Sequence, residues 1–178
     1  MRPALVTLLA IPAMTASAFA ADSADKTPLK IGDAVPAVSA PDQDGKTVNL
    51  ATAAAKGLVL VYFYPKADTP GCTAQGCSLR DGWSELAKRG VTVYGVSVDN
   101  VAAQKKFQEK YRFPFPLLAD KEKTITRAFQ GGSLKLAIGF AKRQAYLFED
   151  GTCIMADTQG HTKDQAQQVI GFLDARKK

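Results

Sequence analysis

The feature that most constrains the fold is an unbroken apolar segment from Leu58 to Tyr64, rich in β-branched and aromatic side chains. Such a run, stopped by Pro65, is typical of a strand that is buried on both faces of a sheet. Residues 66–71 then predict a loop, and apolar side chains at helical spacing predict a helix from about Cys72 to Lys88. This strand–loop–helix unit favours an α/β fold.

The remaining patterns extend this unit into one domain. A turn at Asp44-Gly45 predicts a short hairpin. We predict further strands over residues 91–98, 115–119, 143–148 and 152–157. We predict further helices over residues 101–112 and 124–130 and from Thr162, where Gln165 would complete a capping box. Residues 131–142 show no assignable pattern. Together these elements predict a central mixed β-sheet flanked by helices.

The N-terminus has the pattern of a secretory signal peptide: Arg2, an apolar stretch, and Ala18-Phe19-Ala20 as a small-x-small cleavage signal. We predict a signal peptide over 1–20, a flexible leader over 21–30 and a single domain over 31–178. The protein would then be periplasmic or secreted. The alternative is an uncleaved anchor, since residues 3–21 carry no charge. Pro12 weakens that apolar core, so we expect no stable membrane anchor.

The net charge of +6 is spread through the chain, with acidic and basic residues interspersed. No long basic run with interleaved aromatic side chains occurs, so we expect no nucleic-acid partner.

Cys72, one of three cysteines, falls in the first turn of the helix predicted after the buried strand. Free backbone N–H groups and the helix dipole favour an anion there, so this thiol should be more reactive than usual. Cys77 is five residues further on. In a continuous helix the two Cα atoms would be roughly 8.7 Å apart, whereas a disulfide tolerates about 7 Å. If the two cysteines bridge, the helix must unwind. Spacing alone leaves open a redox pair, a structural bond or packed thiols.

The residues around these cysteines resemble the peroxiredoxins, and among them the bacterioferritin comigratory protein, or peroxiredoxin Q, class. The family pattern is a Pro, three residues, Thr or Ser, two residues and Cys, which Pro65, Thr69 and Cys72 match. The class pattern adds three matching segments: Tyr64-Pro65-Lys66, Thr69 to Thr73 with Cys77, and Leu79-Arg80-Asp81. Arg143 fits the family's downstream arginine at the start of a strand, although Ala145 stands where the family usually has Thr or Ser.

The resemblance implies a thioredoxin-like fold and a thiol peroxidase that reduces hydrogen peroxide and organic hydroperoxides. Cys72 would become a sulfenic acid, and Cys77 would resolve it as an intramolecular disulfide. Arg143 would stabilise the thiolate, Thr69 would hold the peroxide and Pro65 would shield the pocket. The resemblance implies no cofactor and no metal, a thioredoxin-like dithiol reductant outside the cytoplasm, and a monomer.

Two alternatives share the same architecture. An exported copper chaperone of the Sco type would use a cysteine pair with three residues between, whereas four separate Cys72 from Cys77. A disulfide oxidoreductase acting on proteins would use a Cys-x-x-Cys motif, which is absent. We interpret Cys153 as a free thiol without a redox role. Nothing in the sequence places His161, the only histidine, beside Cys72.

Overall fold

A computed structural model of the chain describes residues 28–132 and 134–176. The strands are β1 Ser39–Pro41, β2 Thr47–Asn49, β3 Leu58–Phe63, β4 Val91–Ser97, β5 Leu117–Ala119, β6 Gln144–Glu149 and β7 Thr152–Asp157. The helices are α1 Leu50–Ala53, α2 Pro70–Asp81, α3 Trp83–Lys88, α4 Val101–Tyr111, α5 Thr124–Gln130, α6 Leu134–Ala137 and α7 Gln165–Ala175. The predicted signal peptide lies outside the described residues. Within them, no helix has the length and apolar character needed to cross a membrane.

β3 is the middle strand of a five-stranded sheet with the order β5-β4-β3-β6-β7. The strands β3, β4 and β5 are parallel, while β6 is antiparallel to both β3 and β7. β1 and β2 form a separate antiparallel hairpin. The prediction of a mixed sheet flanked by helices is therefore confirmed.

Both faces of β3 are buried, as its sequence predicts. Leu60 and Tyr62 belong to an apolar cluster that includes residues of α2, α3, α4 and α7. On the other face Val61 and Phe63 belong to a second cluster with residues of α5. The end of β3 is thus fixed from both sides, and the loop that follows starts from a rigid support.

The helix predicted from Cys72 to Lys88 is divided at Gly82, which ends α2 and precedes α3. A Cβ atom at Gly82 would lie 2.6 Å from Cβ of Ala166 in α7. The close approach of α7 therefore requires glycine at the point where the two helices meet.

The predicted capping box between Thr162 and Gln165 is wrong. α7 begins at Gln165, Asp164 takes the N-cap position, and no side-chain cap hydrogen bond forms. The side chain of Gln165 is fully buried and bonds inside the molecule instead. The tertiary contacts of Gln165 outweigh the local capping pattern.

The core contacts of the domain include Leu29, a residue of the leader predicted over 21–30. Leu29 is 7% exposed, packs in the second apolar cluster, and donates its backbone N–H to the carbonyl of Phe129 at 2.9 Å. The last residues of the predicted leader are thus part of the folded domain. The segment 131–142, which showed no pattern, contains the short helix α6.

Candidate active site

The loop between β3 and α2 is fastened to the rest of the domain at two points. The backbone N–H of Ala67 donates to Oδ2 of Asp99 at 2.8 Å. The next residue, Asp68, has a left-handed backbone with φ of 59° and accepts from Nζ of Lys110 and from the hydroxyl of Tyr111, each at 2.7 Å. The hydrogen bonds from Lys110 and Tyr111 lower the pKa of the Asp68 carboxyl. These bonds set the course of the chain into α2.

Cys72 lies in the first turn of α2, which begins at Pro70 after Thr69 as N-cap. Proline suits this position because its missing N–H is not needed in the first turn. The Cys72 residue is 1% exposed, and Nη2 of Arg143 lies 3.4 Å from its Sγ atom. A cation and the N-terminal end of a helix therefore face the same sulfur, and both favour its anionic form.

Arg143 reaches Cys72 because of the pairing between β3 and β6. Phe63, the last residue of β3, pairs with Gln144, the first residue of the antiparallel β6. The residue just before β6 therefore lies beside the chain that leaves β3. The guanidinium also passes close to α2, since a Cβ atom at Gly71 would lie 3.0 Å from Nη2 of Arg143. Glycine at position 71 leaves the room that this approach needs.

Gln75 binds the second terminal nitrogen of the Arg143 guanidinium, a role that the sequence did not lead us to predict. Nη1 of Arg143 donates to Oε1 of Gln75 at 2.8 Å, and the glutamine is fully buried. Gln75 is three residues after Cys72 and so shares its helix face. A polar residue on the face predicted to be buried was the signal that could have identified it.

Thr69 and Pro65 lie in the same loop and are both half-buried. The hydroxyl of Thr69 donates to the backbone carbonyl of Lys66 at 3.1 Å. The hydroxyl oxygen keeps its lone pairs, so it can still accept a hydrogen bond from a small ligand. The catalytic roles expected for Thr69 and Pro65 stay predictions.

Cys77 also lies in α2, is half-buried, and has a free thiol, as has Cys72. Because both residues are helical, the spacing argument holds and a bond between them requires α2 to unwind. The ring of Phe113 lies against this part of α2, and a Cβ atom at Gly76 would be 2.6 Å from its Cζ atom. Glycine at position 76 is thus needed for the packing of Phe113 against α2.

Neither Cys153 nor His161 forms a hydrogen bond to the Cys72 sulfur. Cys153 belongs to the second apolar cluster, on the other face of the sheet, and donates its thiol to the carbonyl of Met155 at 3.4 Å. Burial raises the pKa of Cys153 to about 11, so the thiol stays protonated at neutral pH. Nδ1 of His161 lies 3.0 Å from Oδ2 of Asp157. In the part of the chain that the structure describes, no group of His, Cys, Asp and Glu side chains is placed to hold a metal ion.

Comparison with known proteins gives a consistent result. The sequence profile of the AhpC/TSA family matches residues 31–156. Peroxiredoxin Bcp of Escherichia coli is 50% identical over 102 residues, which are 57% of this chain and 65% of the relative's length. Peroxiredoxin bcp1 of Schizosaccharomyces pombe is 35% identical over 150 residues, which are 83% of this chain and 75% of the relative. The crystal structure of peroxidoxin BcpB from Mycobacterium tuberculosis superposes with a TM-score of 0.73 at 32% identity, covering 83% of this chain and 97% of that one.

Proposed function

We propose, from the premise that this chain belongs to the AhpC/TSA family and to its bacterioferritin comigratory protein or peroxiredoxin Q class, that it is a thiol peroxidase. The thioredoxin-like fold that the resemblance implied is confirmed. One observation carries the proposal: the guanidinium of Arg143 lies 3.4 Å from the Cys72 sulfur in the first turn of α2. That arrangement suits a thiolate that attacks one oxygen of a peroxide, because the cation can stabilise the negative charge that develops on the departing oxygen.

In the first step the Cys72 thiolate attacks one oxygen of hydrogen peroxide or an organic hydroperoxide. The S–O bond forms as the O–O bond breaks, and the second oxygen leaves as hydroxide or alkoxide and takes up a proton. Arg143 stabilises the charge that moves onto this oxygen, and the Thr69 hydroxyl orients the peroxide. Pro65 shields the sulfur from water. The product is a sulfenic acid on Cys72.

In the second step α2 unwinds, and the Cys77 thiolate attacks the sulfenic sulfur. The S–S bond forms, and hydroxide leaves and is protonated to water. An external thioredoxin-like dithiol then restores both thiols by two exchange reactions and is itself oxidised to a disulfide. The cycle needs no metal and no cofactor.

We place this reaction outside the cytoplasm, in a monomer. The support for export is the N-terminal pattern of Arg2, an apolar stretch and cleavage after Ala20. The dithiol donor must then be a thioredoxin-like protein of the same compartment. Mass spectrometry of the protein purified from periplasmic and cytoplasmic fractions tests this. We expect a periplasmic form that lacks residues 1–20. Full-length protein in the cytoplasm, with none in the periplasm, would contradict the proposal.

Two variants test the reaction. Cys72→Ser should abolish peroxide consumption, because no other described cysteine is both near a cation and at a helix N-terminus. Cys77→Ser should consume one peroxide per protein and then stop, because the sulfenic acid has no partner. Full activity in Cys72→Ser would overturn the proposal. Copper analysis of the same preparations tests the Sco-type alternative, which the similarities to peroxiredoxins do not support.

A further inference from the structure

A chain of buried side chains continues from Arg143 away from the sulfur. Gln75, which accepts from Arg143, donates its Nε2 to Oε1 of Gln165 in α7 at 2.8 Å. Nε2 of Gln165 donates in turn to Oδ2 of Asp157 in β7 at 3.3 Å and to Oε1 of Gln168 at 2.6 Å. Both Gln75 and Gln165 are fully buried, and the carboxylate of Asp157 is 1% exposed.

The two ends of this chain decide how the two amides are oriented. A guanidinium can only donate hydrogen bonds and a carboxylate can only accept them. Gln75 must therefore turn its oxygen towards Arg143, and Gln165 must turn its nitrogen towards Asp157. Each amide then presents the group that the other needs. If one of these amides were flipped, two NH2 groups or two carbonyl oxygens would face each other in the protein interior. A buried polar group would then have no hydrogen-bond partner, which costs its full desolvation free energy.

Asp157 is itself held from other directions. Its Oδ1 accepts from the backbone N–H of Gln159 at 2.9 Å, and its Oδ2 lies 3.0 Å from Nδ1 of His161. The carboxylate is thus fixed at the end of the last strand, and α7 presents Gln165 to it. No residue of either element forms a hydrogen bond to the Cys72 sulfur, yet both determine the orientation of Gln75.

We propose that Gln165, anchored by Asp157, is a positioning residue for the reaction of Cys72. It fixes the Gln75 amide with its oxygen towards Arg143 and so keeps the guanidinium against the sulfur. The expected effect on the peroxide reaction rests on the proposed function. The positioning of the Arg143 cation beside the Cys72 thiolate does not, and it can be measured without peroxide.

The principal variant is Gln165→Leu, which keeps the volume and removes the three side-chain hydrogen bonds, to Gln75, Asp157 and Gln168. We expect the second-order rate constant of Cys72 with hydrogen peroxide to fall roughly tenfold, the effect of a lost hydrogen bond of moderate strength. The thiolate absorbance at neutral pH should fall as well. Asp157→Asn, which keeps an acceptor but loses the charge, should give a smaller loss and serves as a second variant where Gln165→Leu folds poorly.

Two control variants in the same helix separate positioning from stability. Gln167→Leu makes the same change at an exposed position, and Val169→Ala removes buried apolar volume from α7. Val169→Ala should lower the melting temperature, and both should leave the peroxide rate constant and the thiolate absorbance unchanged.

The decisive measurement is a double-mutant cycle with Gln75→Leu. Because Gln165 acts through Gln75, the loss caused by Gln165→Leu should disappear when Gln75 is already absent. A loss that persists in full in that background, or Gln165→Leu with an unchanged rate and unchanged thiolate absorbance, would overturn the inference. If the wild-type protein did not react with peroxide, the proposed function would be overturned. The positioning role would still stand if Gln165→Leu lowered the thiolate absorbance as described.

Discussion

The ring of Phe113 lies directly against Gly76 of α2, four residues after the sulfur of Cys72 in the sequence and one before Cys77. Phe113 in turn stacks on Phe115, with ring centroids 5.5 Å apart, and on Tyr111, with centroids 5.8 Å apart. The segment that must unwind for the proposed disulfide is therefore the segment that this aromatic stack supports.

Gly76→Ala should destabilise the reduced protein although alanine is the better helix former by about 1 kcal/mol. The added methyl group would lie 2.6 Å from Phe113, and forcing extra volume into a packed site costs about 1–3 kcal/mol. Denaturant unfolding measures the change. The same substitution at Gly171 in α7, where an added Cβ atom would meet no atom of another segment within 4 Å, should stabilise instead. Equal effects at both positions would contradict the role of the Phe113 contact.

Gly76→Ala should also speed disulfide formation after the first oxidation, because it raises the free energy of the helical state from which unwinding starts. Stopped-flow fluorescence of Trp83, the single tryptophan, can follow this step after the peroxide reaction is complete. A second step no faster than that of the wild type would contradict this expectation.

Arg143→Lys should lower the rate constant of Cys72 with peroxide by about 10²–10³, the range for removing one donor that stabilises developing charge. Lysine keeps the charge but cannot hold both the sulfur and Gln75 as the planar guanidinium does. Arg127→Lys, at an exposed position on α5, is the matched control and should react as the wild type does. A loss of less than threefold in Arg143→Lys would show that charge alone suffices.

Tyr62→Phe should raise the stability of the reduced protein. Among the described residues, the hydroxyl of Tyr62 is buried without a hydrogen-bond partner, and an unmet buried group of this kind costs about 1–3 kcal/mol. Tyr64→Phe is the contrast, since the Tyr64 hydroxyl donates to the buried Oε1 of Gln104 and its loss should destabilise. Thermal unfolding of the two variants should shift in opposite directions.

Cys153 should resist alkylation in the folded protein at neutral pH, while the half-buried Cys77 is modified. Burial raises its pKa to about 11, so the protonated thiol, which is the unreactive form, predominates below that pH. The folded protein favours the protonated Cys153 thiol more strongly than the unfolded chain does, because the pKa is higher in the folded state. The free energy of unfolding therefore keeps its full value at neutral pH and falls as the pH rises from the unfolded value of 9.0 through about 11. Peptide mapping after iodoacetamide treatment, with and without denaturant, measures the modification. Labelling of Cys153 in the native protein as fast as that of Cys77 would contradict the burial.

The sequence was most informative where a feature depends on near neighbours in the chain. The apolar run from Leu58 to Tyr64 predicted β3 because burial on both faces leaves no room for polar residues. The position of Cys72 at a helix N-terminus likewise followed from the pattern of the residues beside it. The contact between Cys72 and Arg143 was expected only through the resemblance to peroxiredoxins.

Features that depend on distant segments were missed or misread. Gln75 and Gln165 are 90 residues apart, and neither signals its partner, so Gln165 was assigned to a local capping box that does not form. The approach of Phe113 to Gly76 also joins distant segments of the chain, and the residues beside Gly76 do not signal it. Gly82 divides the predicted long helix because α7 packs against it, which local periodicity does not encode.

The antiparallel pairing of Phe63 with Gln144 has a consequence for the biogenesis of the protein. Cys72 and Arg143 are 71 residues apart, so a nascent or partly folded chain contains the thiol before it contains the paired strand that delivers the cation. Such long-range pairing forms late, after local helices and turns. During synthesis, and during any passage across a membrane in an unfolded state, Cys72 would behave as an ordinary thiol. Its sensitivity to oxidants would be acquired only on completion of the native topology.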